Sequence, residues 1–235
     1  MAAVALAMSG CKADSASKVS SGMDASTGAP ATLQQQSSKP VAETITKPAS
    51  NDGRPVLVCF GDSLTAGLGM DPGETYPDDL QADLDAIGYR YRVVNEGISG
   101  NTTKDGLARV ERVIAMRPAV VVVEFGGNDG LRGVPITASR ANLDRIVAAL
   151  KASGTKVVLA GITLPPDYGA DYIQQFNETY VVLAKKYNLR MIPFLLQDVY
   201  GVAGDMQRDG VHATVAGNQM VAKNVLTLVK PLLKK

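Results

Sequence analysis

From Arg54 onward the chain alternates between two patterns. Short apolar runs at 56–60, 91–94, 119–123, 156–161 and 190–194 are each separated from the next by one amphipathic stretch, near 75–87, 103–116, 138–152 and 171–187, and a last stretch closes the series near 214–229. Nothing else in the sequence restricts the fold as much. Parallel strands cannot be joined by a tight hairpin, so each needs a crossover, usually a helix. The runs Ala119–Val123 and Val157–Ala160 are apolar at every position, with no polar face. Strands of that kind are covered on both sides. The pattern therefore predicts an α/β fold, a three-layer α/β/α arrangement around a five-stranded parallel sheet. Ligands of open parallel sheets bind beyond the carboxyl ends of the strands, so chemistry is sought just after each run.

The rest of the chain divides differently. Residues 1–11 are a short apolar stretch ending Met8-Ser9-Gly10-Cys11, too short to span a bilayer. It resembles a bacterial lipobox, with Cys11 as the lipidation site. Met8 stands where Leu is usual, and no basic residue precedes the apolar run. That gap leads to the expectation that the natural chain starts upstream. Residues 12–53 are mostly Ser, Ala, Thr, Gln, Lys and Pro, and the first aromatic residue of the chain is Phe60. Such a stretch cannot bury enough apolar surface to offset its ordering entropy, so it is expected to be a disordered linker. Residues 54–235 form the expected domain, long enough for a sizeable core.

Composition excludes several functions. A formal net charge of +1 gives no electrostatic case for nucleic acid. The two cysteines, Cys11 and Cys59, lie in a leader-like segment and an apolar run, so a disulfide is not expected. Neither a CxxC pair nor a His/Cys cluster is present to suggest zinc. Cys59 reads as a buried small hydrophobe.

Four strand ends carry polar residues of distinct chemical types. After the first run, Gly61-Asp62-Ser63-Leu64 places a serine on a strand-to-helix turn. The same turn could simply cap a helix through Asp62 or Ser63. After the second, Asn95-Glu96-Gly97-Ile98-Ser99-Gly100-Asn101-Thr102-Thr103 offers backbone N–H groups suited to developing negative charge, or a plain turn capped by Thr102. After the third, Gly126-Gly127-Asn128-Asp129 supplies a neutral amide donor, in a kind of turn that is also common. Near the C-terminus, Asp209 precedes the chain's one histidine, His212, by three residues. A carboxylate so placed can bond Nδ1 and leave Nε2 free to accept a proton. Singly, each segment reads as an ordinary turn. Together they supply every part of an acyl-transfer site.

These four blocks resemble the SGNH (GDSL) hydrolase superfamily over residues 55 to about 231. They are most similar to the branch of bacterial thioesterase I, protease I/lysophospholipase and arylesterase enzymes. Val123-Glu124-Phe125-Gly126-Gly127-Asn128-Asp129-Gly130-Leu131-Arg132-Gly133, Leu164-Pro165-Pro166-Asp167-Tyr168-Gly169 and Asp209-Gly210-Val211-His212 carry the branch resemblance. The resemblance implies a flavodoxin-like SGNH hydrolase fold and no cofactor or metal. It implies a serine esterase or thioesterase, with Ser63 as nucleophile and Asp209 and His212 completing the triad. The Ser63 and Gly100 backbone N–H groups and the Asn128 amide would form the oxyanion hole.

Substrate-binding residues are expected in the loops after Asn128 and around Leu164. Leu131, Leu164 and Pro165 lead that set, with Val134, Ile162 and Tyr168 beside them. The resemblance makes these loops an acyl-chain crevice, so acyl-CoA, lysophospholipid and aryl ester substrates are expected. A carbohydrate or small-ester acetylesterase is the alternative in the same superfamily. A non-catalytic ligand-binding surface lipoprotein is the alternative of another class. The lipobox implies export to the periplasm and a membrane anchor on Cys11. Lys12 after the cysteine points to the outer membrane.

Overall fold

The structure is a computed structural model that describes residues 52–235. Cys11, the 1–11 segment and nearly all of the 12–53 stretch lie outside the described residues. The strands are β1 Val56–Gly61, β2 Arg92–Gly97, β3 Val120–Glu124, β4 Lys156–Ala160 and β5 Arg190–Ile192. They form one sheet in the order β2-β1-β3-β4-β5, with every pair parallel. The helices are α1 Ser63–Ala66, α2 Tyr76–Ala86, α3 Thr103–Ala115, α4 Gly127–Leu131, α5 Ile136–Ala152, α6 Ala170–Tyr187 and α7 Val215–Val229.

Every residue of β1 and β3 is buried. Successive strand residues face opposite sides, so both faces of the sheet are covered. α2 packs against α7, and α3 against α5, which in turn meets α6. The three-layer α/β/α prediction holds, with five strands as expected. Cys59 is fully buried in β1, and that burial pushes its thiol up to about 12.

The helix starts have local causes. Thr75 and Thr102 cap α2 and α3 by capping boxes with Asp78 and Asp105. Thr214 caps α7, accepting from the Gly217 N–H at 3.3 Å. The expected Thr102 cap is thus formed.

Three expectations need correction. The second strand runs 92–97 rather than 91–94, so Asn95 and Glu96 belong to it and not to the loop. As an edge strand it is only half-buried, which lets it carry polar residues that an apolar-run reading passes over. The last strand stops at Ile192, because Pro193 has no N–H for the ladder. Finally, α1 and α4 are single-turn helices at the very positions read as turns. Four- and five-residue helices leave no periodicity to detect.

Asp129 fastens the loop after β3 to its surroundings. It is buried, accepts from the Thr103 N–H at 2.8 Å and hydroxyl at 2.6 Å, and accepts from the Ser139 hydroxyl at 2.9 Å. One carboxylate thereby joins α4 to the starts of α3 and α5. Asp129→Ala would strand three buried donors, so we expect a loss of about 3 kcal/mol in urea unfolding. A variant as stable as wild type would contradict this role.

Candidate active site

β1 and β3 are neighbours, yet the chain leaves β1 toward β2 on one side and returns through β3 on the other. That reversal opens a crevice at the carboxyl edge of the sheet. The register pairs Phe60 with Val123, so the turn after β1 and the turn after β3 lie side by side. Ser63 opens α1 from the first turn, and Asn128 sits in α4 from the second.

Asp62 caps α1 by accepting from the Leu64 N–H at 3.1 Å. Ser63 is the first residue of that helix, and its N–H has no protein acceptor among the described residues. The cap reading of this turn holds, and the cap leaves the Ser63 N–H without a protein acceptor among the described residues. Gly126 begins α4 with φ 128°, and a side chain there would collide with the Tyr180 hydroxyl. Only glycine permits that start, and so the placement of Asn128.

His212 arrives from the loop before α7. Its Nε2 lies 2.8 Å from Ser63 Oγ and its Nδ1 2.6 Å from Asp209 Oδ2. Asp209 Oδ1 also accepts from the Val211 N–H at 2.9 Å and the His212 N–H at 3.0 Å. Partial burial would raise the Asp209 carboxyl, but the His212 ring and these two N–H groups outweigh it and lower it to about 2. The loop is closed by an antiparallel bridge between Met206 and Ala213. Gln207 locks it further, donating from Nε2 to the Ala213 and Leu68 carbonyls, each at 2.8 Å. The second bond ties the His212 loop to the chain just beyond α1.

Asn128 Nδ2 donates to Asp62 Oδ2 and to the Asn101 carbonyl, each at 3.0 Å. Gly100 lies in the loop that holds Asn101, with φ 81°, and its N–H likewise has no protein acceptor among the described residues. Arg109 fixes this loop from below. Its guanidinium donates to Asn101 Oδ1 at 2.9 Å and to the Glu96 and Gly61 carbonyls, each at 2.8 Å. It also stacks over Phe60, 4.5 Å from the ring centre. So the five residues expected at the site lie together at the strand ends: Asp209, His212 and Ser63 are linked by direct bonds, and Asn128 bonds Asp62, the neighbour of Ser63, and Asn101, the neighbour of Gly100.

A cleft of about 930 Å³ opens beside Ser63, Asn128 and His212. Leu131, Leu164 and Pro165 line it, as expected, and so does Ile162. Val134 and Tyr168 do not line it. Tyr168 instead donates its hydroxyl to the Leu131 carbonyl at 3.2 Å, bracing the rim. The opposite wall, missed in the sequence, is Ile173 and Val181 of α6 with Phe194 and Tyr200 after β5. Arg109 and Glu124 were missed as well. The available signals were a cation on the core-facing side of α3, three residues after buried Gly106, and a carboxyl ending an otherwise apolar strand.

The GDSL-like lipase/acylhydrolase family model matches residues 59–220, a span that includes all five polar positions. Esterase TesA of Pseudomonas aeruginosa is 44% identical over 178 residues, covering 75% of this chain and 89% of the relative. Thioesterase 1/protease 1/lysophospholipase L1 of Escherichia coli is 35% identical over 177 residues, covering 75% of this chain and 84% of the relative. A crystal structure of TesA superposes with a TM-score of 0.73 at 44% identity, covering 76% of this chain and 99% of that one. With the crevice at the β1/β3 edge and its relatives agreeing, the chain belongs to the GDSL-like lipase/acylhydrolase family of SGNH esterases and thioesterases.

Proposed function

We propose that this hydrolase cleaves medium-to-long acyl esters and thioesters through a Ser63–His212–Asp209 triad. The observation that carries the reading is the unbroken contact line from Asp209 through His212 to Ser63 at the mouth of a mainly apolar cleft. His212 Nε2 takes the Ser63 proton as Oγ attacks the acyl carbonyl. Asp209 holds Nδ1–H and stabilises the imidazolium that forms. The tetrahedral oxyanion is met by the Ser63 and Gly100 N–H groups and the Asn128 amide. The amide hydrogen directed at the Asn101 carbonyl is the one shared with the oxyanion. His212 then protonates the leaving alcohol or thiol, and water repeats the sequence on the acyl-enzyme.

The cleft supports the acyl-chain assignment. Ile162, Leu164 and Pro165 would face the alkyl tail, and each buried methylene is worth roughly 0.8 kcal/mol. The volume exceeds what an acetyl group fills, which favours this reading over a small-ester acetylesterase.

We further infer export and anchoring through Cys11, on the lipobox-like Met8-Ser9-Gly10-Cys11 sequence. Among the described residues no helix is long and apolar enough to cross a membrane. Acyl chains on Cys11 would anchor the protein through roughly 0.8 kcal/mol per buried methylene. On this reading residues 12–53 are the tether and 54–235 the catalytic domain, facing the periplasm from the outer membrane.

Three outcomes are expected. Ser63→Ala and His212→Ala lose nearly all turnover, and Asn128→Ala loses about 10²–10³ in kcat while staying folded. An active His212→Ala enzyme would sink the scheme, since the chain has no second imidazole. Across p-nitrophenyl esters and acyl-CoAs, kcat/KM should climb from acetyl by up to about fourfold per methylene, whereas a maximum at acetyl would favour the acetylesterase. Cys11→Ser should shift the protein from the membrane to the soluble fraction; unchanged fractionation removes the anchor.

A further inference from the structure

Glu124 has no part in the triad or the oxyanion hole, yet it is the most deeply buried acid beside them. It closes β3, is fully buried, and meets the nucleophile turn from beneath. Its Oε2 accepts from the Asp62 N–H at 3.2 Å and from the Thr65 hydroxyl of α1 at 2.8 Å. Thr65 Oγ1 lies in turn 3.1 Å from the Tyr76 hydroxyl. Oε1 finds no N–H or hydroxyl partner. A side chain at Gly61 would run into both Glu124 and Thr65, so the turn is built to seat this acid.

Asp62 is held at both ends: Glu124 accepts from its N–H, and its carboxyl accepts from the Leu64 N–H and the Asn128 amide. Burial raises both acids. Asp62 Oδ2 and the Asn101 carbonyl are the two acceptors holding the Asn128 amide.

We propose that Glu124 is a positioning residue for acyl transfer: its carboxyl, accepting from the Asp62 N–H and the Thr65 hydroxyl, fixes the nucleophile turn and, through Asp62, the Asn128 amide, without touching substrate. The inference rests on the oxyanion role given to Asn128 above. Glu124 holds Asp62, Asp62 holds one amide hydrogen, and the other is left aimed toward the Gly100–Asn101 loop. Without Glu124 the Asp62 carboxylate turns, and the amide moves with it. Displacements on the ångström scale at a reacting group can cost about 100-fold in rate.

A double-mutant cycle with Asn128 tests this, with thermal unfolding confirming that each variant is folded. Glu124→Gln retains an oxygen for the Asp62 N–H and the Thr65 hydroxyl, so kcat should stay within about threefold of wild type. Glu124→Leu retains no acceptor and should lower kcat about 10- to 100-fold with KM within about twofold. In an Asn128→Ala background the same Glu124→Leu change should cost little more, because the amide it positions is gone. If Glu124→Leu does not fold, Glu124→Asp replaces it in the cycle: one methylene shorter, it keeps the acid but loses the reach to Asp62, and the same loss is expected. Full additivity of the two losses, or a Glu124→Gln enzyme as impaired as the Leu variant, overturns the proposal. An Asn128→Ala enzyme with normal turnover would instead overturn the oxyanion assignment itself, and the two failures are told apart by that single variant.

Discussion

The parallel pairing of β1 with β3 is the contact on which the site depends. Its register sets Phe60 against Val123. Everything polar at the sheet edge depends on that alignment: Asp62 and Ser63 just past one strand, Glu124 ending the other, Asn128 one turn further on. A slip of one residue would exchange the faces of β3 and carry Glu124 away from the nucleophile turn. The apolar side chains of β1 and β3, buried throughout, hold that register. The hydrophobic core and the catalytic geometry are thus one constraint seen from two ends.

Polar groups at this edge are held rather than solvated. Arg109 clamps two strand-end carbonyls and the Asn101 side chain while stacked on Phe60. Asp129 fastens α4 to α3 and α5, and Gln207 fastens the His212 loop to the chain after α1. Buried polar networks of this kind are costly unless nearly every member is paired, and when paired they are rigid. Rigidity is what an oxyanion site requires, since donors fixed before reaction need no reorganisation as charge develops. Among the described residues the arrangement leaves the Ser63 and Gly100 N–H groups without a protein acceptor, beside the proposed nucleophile. The apolar cleft meets that polar edge, so a substrate would place its carbonyl on the donors and its chain among Leu131, Leu164 and Ile173.

Much of this is legible in the sequence. The five apolar runs and the amphipathic stretches between them define the sheet and its layers, because buried parallel strands and long helices leave unmistakable periodicities. The polar residues of the site are marked by their position just past the end of an apolar run or just before the last helix. The misses have physical reasons. β2 is an edge strand, and its Asn95 and Glu96 resemble a loop because half-exposed strands tolerate polar residues. α1 and α4 are hidden because one helical turn has no period. Arg109, Glu124 and the α6 wall of the cleft act through long-range contacts that spacing along the chain cannot reveal. Glu124 stands in plain view after four valines, but only the fold shows that Asp62 is its neighbour.

The central claim is that one serine, activated by the only imidazole in the chain, becomes acylated. Its most direct test is intact-mass and peptide-mapping analysis after treatment with a fluorophosphonate, which phosphonylates an activated serine. The account predicts a single adduct per chain, located on Ser63, absent from Ser63→Ala and strongly slowed in His212→Ala. An adduct on another residue, or esterase activity that survives complete modification of Ser63, would contradict it.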